Sequence, residues 1–412
     1  MTEQTRSAAE ILGQPLALPC GLTVKNRFGK APTSEHLAEM SGDPGASLNA
    51  LYRVWSEGGT GLIITGNVMV ERRMFEAPRN PVFDSKTSMP AVEAWSAAAK
   101  AAGNLAIPQI GHPGRQQQRG RGKTVAPSAV KVDAPGVMFG TPRALTTPEI
   151  KDLIARFAKT AKIAVDGGFD GVQLHAAHGY LLSQFLSPTA NIRTDEWGGS
   201  LEGRAKFLLE AVAAVREAIG PSKIISVKLN SKDFQKGGFD NEDSIATAKL
   251  LEAAGIDLLE ISGGTYEDPQ MIAGLQKRQS TIDREAYFLD FAEKLRGETK
   301  LPLMVSGGFR SSAAMAAAVG SGTTDMVGLA RPLTLMPDLP NRVLAGEDLR
   351  AVDAEPRAKL SFIDAFIGSS WHNQQYARIA AGKAPDADRG ALVTTLVGVV
   401  KLQRDGLLYG RR

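Results

Sequence analysis

An α/β architecture, the closed (β/α)8 TIM barrel of eight parallel strands, is the fold the sequence predicts, and three observations carry it. Seven short apolar runs and one weaker early candidate recur along the 412 residues, most of them bounded by glycine, proline or polar turn residues. Segments with apolar positions at helical spacing lie between them. None of the runs alternates cleanly between apolar and polar, which is how strands covered on both faces read. An open doubly wound sheet is the competing arrangement, and eight strand–helix units favour the barrel. At about 150 residues per domain the length allows two or three domains, but a barrel with insertions takes it as one.

Residues 26–32 (NRFGKAP) are the weakest strand by pattern and are assigned because they precede the first helix, over 47–57. Residues 61–66 (GLIITG) form the second strand, branched residues between glycines. After a helix over 89–102, residues 104–111 (NLAIPQIG) make the third; Pro108 suggests a strand end, because it has no N–H for the ladder. A long Gly-, Pro- and Arg-rich connection over 112–145 follows as a lid or capping loop. The helix over 146–168 opens with a capping-box pattern, Thr146 and Glu149, and stops at glycine. Residues 170–175, 223–229, 257–262, 303–306 and 325–330 are strands four to eight, with helices over 201–219, 241–254, 283–295 and 311–319. The barrel and its lid are assigned to 1–333. A helical extension is assigned to 334–412, with amphipathic helices over 357–367 and 392–402.

Lys and Arg number 48 against 44 Asp and Glu, a formal charge of +4, too small over this length to predict nucleic-acid binding. Hydrophobic residues at 43% supply a large core and argue against disorder. The single cysteine, Cys20, leaves no internal disulfide, Cys-ligated zinc or iron–sulfur ligand set within these residues. With no apolar stretch of leader or membrane length, a cytoplasmic protein is expected. Glycine, at 43 residues, exceeds the usual ~7%, and turns or close backbone approach to a ligand must account for it.

In a barrel the reactive groups sit at the C-terminal ends of the strands. Strand four ends in His175-Ala-Ala-His178-Gly-Tyr180, in a chain with only 5 histidines and 6 tyrosines. Satisfied core histidines are the plain reading, but three polar rings at one strand end favour a functional role. A His-x-x-His metal pair completed by Asp233 or Glu260 would make a barrel hydrolase, although it lacks the HExxH spacing. Strands seven and eight run into SGGFR and GLARP, where barrels often bind phosphate. There Gly307 and Gly308 let backbone N–H groups approach an anion, and Arg331 pairs with phosphate oxygens. Gln109 both donates and accepts, as the edge of a ring with alternating C=O and N–H groups requires. Lys228, near the end of strand five, needs a negative partner if it faces inward.

These residues, in this order, resemble the Old Yellow Enzyme family of FMN-dependent oxidoreductases over about Leu18 to Leu333. The stretch GVQLHAAHGYLLSQFLSPTANIRTDEWGGSLEGRAKFLLE, Gly171 to Glu210, carries the likeness most specifically, with GHPGRQ and SGGFRS…GLARPL in support. The resemblance implies a barrel that binds FMN non-covalently and reduces activated C=C bonds of α,β-unsaturated carbonyl compounds, with NADH or NADPH as donor, in ping-pong order. It makes Ala31, Pro32, Thr33, Ser34 and Asn67 contacts of the flavin ring, Gln109 the partner of its pyrimidine edge, and Lys228 a charge near N1 and O2. Gly307, Gly308, Ala330 and Arg331 become the phosphate site. His175 and His178 correspond to the pair that binds the substrate's electron-withdrawing oxygen, and Tyr180 to the proton donor. No metal is implied.

Four positions depart from the family pattern. Ser34 stands where threonine or cysteine is common, with a hydroxyl able to bond flavin O4. Lys228 replaces an arginine and loses its fork geometry. Asn67 is larger than the usual alanine or glycine, and Gly203 stands for asparagine. Reduction of nitro compounds or nitrate esters, or N-demethylation, would change the substrate and keep the site. The expected partners are small molecules with an electron-withdrawing group, neither nucleic acid nor membrane. The basic run Arg115 to Lys123 (RQQQRGRGK) reads as a solvated loop in preference to a phosphate attractor. The C-terminal extension, with Trp371 and Tyr376, is expected to pack on the barrel or on a second subunit of a homo-oligomer.

Overall fold

The computed structural model describes residues 6–117, 123–133, 139–265, 267, 288–356 and 361–409. Eight parallel strands close into a barrel in chain order, the expected (β/α)8 TIM-barrel topology. They are β1 (Phe28–Lys30), β2 (Leu62–Met69), β3 (Leu105–Gly111), β4 (Gly171–Ala176), β5 (Ile224–Asn230), β6 (Leu258–Ser262), β7 (Leu303–Ser306) and β8 (Met326–Leu329). The surrounding helices are α1 (Ala46–Glu57), α2 (Met89–Ala99), α3 (Thr147–Asp166), α4 (Leu201–Ile219), α5 (Asn241–Ala253), α6 (Leu289–Arg296) and α7 (Ser312–Gly320). Two longer helices follow the barrel, α8 (Ser361–Ala380) and α9 (Ala391–Tyr409). The first residues of the helices expected over 283–295 and 357–367 lie outside the described residues.

Each barrel strand splits its residues between two faces. Ile225, Val227, Leu259, Ile261, Leu303, Val305 and Val327 turn outward and join the main core under the helices. The alternate positions Leu62, Ile64, Ile107, Ile224, Leu258, Met304 and Met326 form a second, smaller apolar cluster along the barrel axis. Leu18 and Val24 belong to that cluster, beside a short antiparallel pairing of Leu16–Ala17 with Thr23–Val24 that closes this end. One or two inward positions further along, the same faces turn polar. Gln109 is in register with Gln173, Gln173 with Ser226, and Lys228 with Glu260. The barrel is therefore dry at one end and polar toward the C-terminal ends of its strands.

Two local features differ from the sequence reading. β2 runs past Gly66 to Met69, with a register shift against β3 between Thr65 and Val68. Pro108, expected to mark a strand end, lies inside β3 opposite Thr65. The missing proline N–H thus falls where the neighbouring strand bulges, and the bulge re-aims Asn67. Gly203 sits in the first turn of α4, where a Cβ would fall 2.2 Å from the Gly198 carbonyl oxygen, so asparagine would not fit there. The capping box of α3 forms as expected, with the Thr146 N–H donating to Glu149 at 2.9 Å.

The extension packs on its own barrel: the Tyr376 ring of α8 meets Trp55 of α1 edge-on at 5.4 Å. The final helix is longer than expected, running to Tyr409. Among the described residues no helix is long and apolar enough to cross a membrane.

Candidate active site

The polar layer of the barrel is the floor of a cavity of about 320 Å³ at the C-terminal ends of the strands. Its centre is Glu260, which has no solvent exposure. Glu260 accepts from Lys228 Nζ at 2.7 Å, from Ser306 Oγ at 2.6 Å and from Gln173 Nε2 at 2.8 Å. Gln109 Nε2 donates to Gln173 Oε1 at 2.8 Å, which leaves the Gln109 oxygen and one amide hydrogen for a ligand. A buried charge is tolerated when it is paired and hydrogen-bonded, and Glu260 is the negative partner Lys228 required. The partner expected for an inward-facing Lys228 is therefore present, and its ammonium is balanced from below.

The same pairing removes Glu260 from any metal-ligand set. Asp233 accepts from Asn230 Nδ2 at 2.9 Å. Among the described residues no group of three or more His, Cys, Asp or Glu side chains converges as metal ligands, so the hydrolase alternative lacks its third ligand in this geometry.

β4 delivers the aromatic wall. His175 lies in the strand, and the backbone then turns left-handed at His178 (φ 61°) and Gly179 (φ 73°). A histidine holds such a conformation only when its surroundings enforce it. The His178 N–H donates to Asn230 Oδ1 at 3.1 Å, and Gln116 Nε2 donates to the His178 carbonyl at 3.0 Å. The two imidazoles meet edge-on at 5.1 Å, and the Tyr180 ring lies 4.8 Å from His175. Burial pushes both imidazoles well below the ordinary histidine value, and the Lys228 charge adds to the effect. Both are neutral at physiological pH. His175 Nδ1 accepts from the Ala177 N–H at 3.4 Å, which places the ring proton on Nε2. His178 Nε2 shares a hydrogen bond of 2.8 Å with the Ser262 hydroxyl.

The far end of the cavity brings two consecutive glycines and two arginines together. Gly307 (φ 116°) and Gly308 (φ 101°) follow β7 in backbone conformations that side chains resist. Arg310 and Arg331 line the cavity beside them, and Arg331 Nη1 lies 3.8 Å from Glu355. Consecutive glycines of this kind turn backbone N–H groups toward an anion. An amide edge at Gln109, donors at Lys228 and a cationic glycine turn fit a flavin with a phosphate tail.

The residues assigned from the sequence to the flavin, phosphate and substrate-oxygen positions all line this one cavity: Ala31, Pro32, Thr33, Ser34, Asn67, Gln109, His175, His178, Tyr180, Lys228, Gly307, Gly308, Ala330 and Arg331; the candidate metal ligands Asp233 and Glu260 do not. Sequence reasoning missed Glu76, His36 and three residues of α8, His372, Asn373 and Tyr376, which also line it. Glu76 sits in an irregular segment with no motif, and α8 comes long after the last strand, so neither carried a signal. The run read as a solvated basic loop begins buried. Arg115 pairs with Glu267 at 2.7 Å and Gln117 Nε2 donates to the Arg73 carbonyl at 3.2 Å; residues 118–122 lie outside the described residues.

The sequence matches the NADH:flavin oxidoreductase / NADH oxidase family over residues 12–349. The chain belongs to this family. A Hypocrea jecorina (strain QM6a) protein, NADH-dependent flavin oxidoreductase iliE, is 37% identical over 365 residues, 82% of this chain and 90% of the relative. A Neonectria sp. (strain DH2) protein of the same name is 38% identical over 354 residues, 80% of this chain and 46% of its own length. An old yellow enzyme homologue from Zymomonas mobilis superposes with a TM-score of 0.71 at 28% identity, over 82% of this chain and 94% of its own. Morphinone reductase does so at 0.70 and 27%, over 85% and 94%. The Old Yellow Enzyme resemblance and the expected cofactors, FMN with a nicotinamide donor, agree with this family.

Proposed function

We propose that this oxidoreductase draws electrons from NADH or NADPH and reduces the activated C=C bond of α,β-unsaturated carbonyl compounds. The cluster of His175, His178 and Tyr180 in one wall of the cavity carries the reading. FMN, when bound, supplies the hydride chemistry between nicotinamide and substrate. Gln109 would hold its pyrimidine edge, and Gly307, Gly308, Ala330 and Arg331 its phosphate. The paired Lys228 adds donors without adding net charge to the floor.

The neutral imidazoles bind the substrate's carbonyl oxygen. His175 donates through Nε2. A Ser262 hydroxyl that donates to His178 Nε2 puts that ring's proton on Nδ1, the second donor. Hydrogen bonds from two neutral donors strengthen as the oxygen gains enolate charge, so they favour the transition state over the ground state. Tyr180 gives a proton to the α-carbon, as a phenol, a weak acid, does to a basic carbon. Gln116, bonded to the His178 carbonyl, ties the start of the lid to this wall.

The test is Tyr180→Phe. Flavin reduction by NAD(P)H is expected to survive and enone-driven reoxidation to fall, by about 10²–10⁴-fold for loss of a positioned proton donor. Equal loss of both half-reactions would overturn the assignment.

A further inference from the structure

The cavity has a second polar corner, formed by Ser34, Asn67, Glu76 and Asn80 around the β2 bulge. Glu76 Oε2 lies 3.3 Å from Ser34 Oγ, 3.1 Å from Asn67 Nδ2 and 3.4 Å from Asn80 Nδ2. Asn67 Oδ1 lies 3.1 Å from Ser34 Oγ and 3.0 Å from Asn80 Nδ2. Asn80 Oδ1 lies 2.7 Å from the Ala77 backbone nitrogen. Ser34, Asn67 and Glu76 line the cavity itself.

The direction of every hydrogen bond here follows from one that cannot be reversed. A backbone N–H only donates, so Asn80 must present Oδ1 to Ala77 and Nδ2 to its other side. That amide nitrogen also only donates, so Asn67 must face it with Oδ1. Asn67 Nδ2 is thereby turned to the Glu76 carboxylate, which accepts. Ser34 Oγ is left with two neighbours, Asn67 Oδ1 and Glu76 Oε2, and both are acceptors. Its single proton is held between them, and what the hydroxyl offers the cavity is a lone pair.

We propose that Ser34 is a hydrogen-bond acceptor in the flavin site, set by the Ala77–Asn80–Asn67–Glu76 chain, and that its partner is an N–H of the FMN ring. The bond to flavin O4 expected from the sequence needs a proton that Ser34 has already given to Asn67 and Glu76. Two-electron reduction of a flavin adds N–H groups to the ring, so an acceptor at this position favours the reduced state. Asn67 and Glu76 are positioning residues, and the side chain at 67 is larger than the family's usual alanine or glycine because it carries this polarity to Ser34.

The inference rests on the flavin reading, and one experiment separates the two. FMN-loaded wild type, S34A, S34T and the double variant S34A/E76Q with its E76Q parent are compared by vibrational spectroscopy of the flavin carbonyl stretches and by redox titration. In S34A the C4=O stretch of the oxidised form is expected to stay at its wild-type position. Reduced FMN is expected to lose about fivefold to tenfold in affinity relative to oxidised FMN, the worth of one neutral hydrogen bond. A tenfold loss lowers the midpoint potential of the two-electron couple by about 30 mV. S34T keeps the hydroxyl and its partners and restores the wild-type potential. In E76Q the amide oxygen takes the place of Oε2, so S34A is expected to have the same effect in that background. A C4=O stretch that rises in S34A, as loss of a donor produces, overturns the inference, and so does an unchanged potential. A protein that takes up no FMN overturns the flavin reading, and this inference with it.

Discussion

Replacing His175 and His178 together by asparagine tests the neutrality on which oxygen binding depends. Asparagine keeps an N–H donor at each position and removes the titration. Both imidazoles are held well below the ordinary histidine value by burial, with the Lys228 charge second. In the unfolded chain they titrate at about 6.5. Below that pH the unfolded state takes up protons that the native state refuses, so stability is full above it and falls as pH drops through it. Between about pH 7.5 and about pH 5.5 this uptake amounts to roughly 1 kcal/mol per histidine, on the order of 2–3 kcal/mol for the pair. The assay is urea unfolding of the FMN-saturated protein at both pH values, wild type against double variant. His36, His112 and His372 remain in both proteins and cancel. Wild type is expected to lose roughly 2–3 kcal/mol more than the variant across this range; equal losses would refute a neutral pair.

Lys228→Met strands the fully buried Glu260 carboxylate and is expected to cost about 3–5 kcal/mol in the same unfolding assay. The double change Lys228→Met/Glu260→Gln should recover most of that, and failure to recover would mean that the pair is not the main interaction of either group. Arg331→Met is expected to weaken FMN binding about 10–100-fold, the worth of a charge-assisted hydrogen bond, while riboflavin binding is unchanged. Flavin fluorescence titrations measure both; equal losses would move Arg331 out of the phosphate site. Gly328→Ala puts a Cβ 1.9 Å from Ser306 Oγ, and the displaced hydroxyl should cost about 1–3 kcal/mol of stability, read as a lowered Tm.

The barrel was legible because its evidence is local. Every strand but the first is a short apolar run, and burial on both faces removes the alternation that would mark another fold. The site was legible for a related reason. Strand ends in a barrel converge, so His175, Lys228 and Gly308, distant in sequence, line one cavity. What stayed hidden depends on long-range geometry. Pro108 argues against a strand until the bulge in β2 is seen to fall opposite it. The partner of Lys228 is one strand away, and nothing near it in sequence names Glu260. The α8 residues reach the cavity because that helix folds back on the barrel, with Tyr376 against Trp55. The polarity of Ser34 is fixed by Asn80 and the Ala77 backbone, and a sequence lists donors and acceptors without showing which way an amide faces.

Anaerobic absorbance spectroscopy of the FMN-loaded protein tests the central claim most directly. The account predicts a yellow flavoprotein that bleaches with NADH or NADPH and regains its colour on addition of an α,β-unsaturated ketone, one equivalent of saturated product forming per flavin reoxidised. A flavin that bleaches and recovers with oxygen while every enone leaves it reduced would contradict the account.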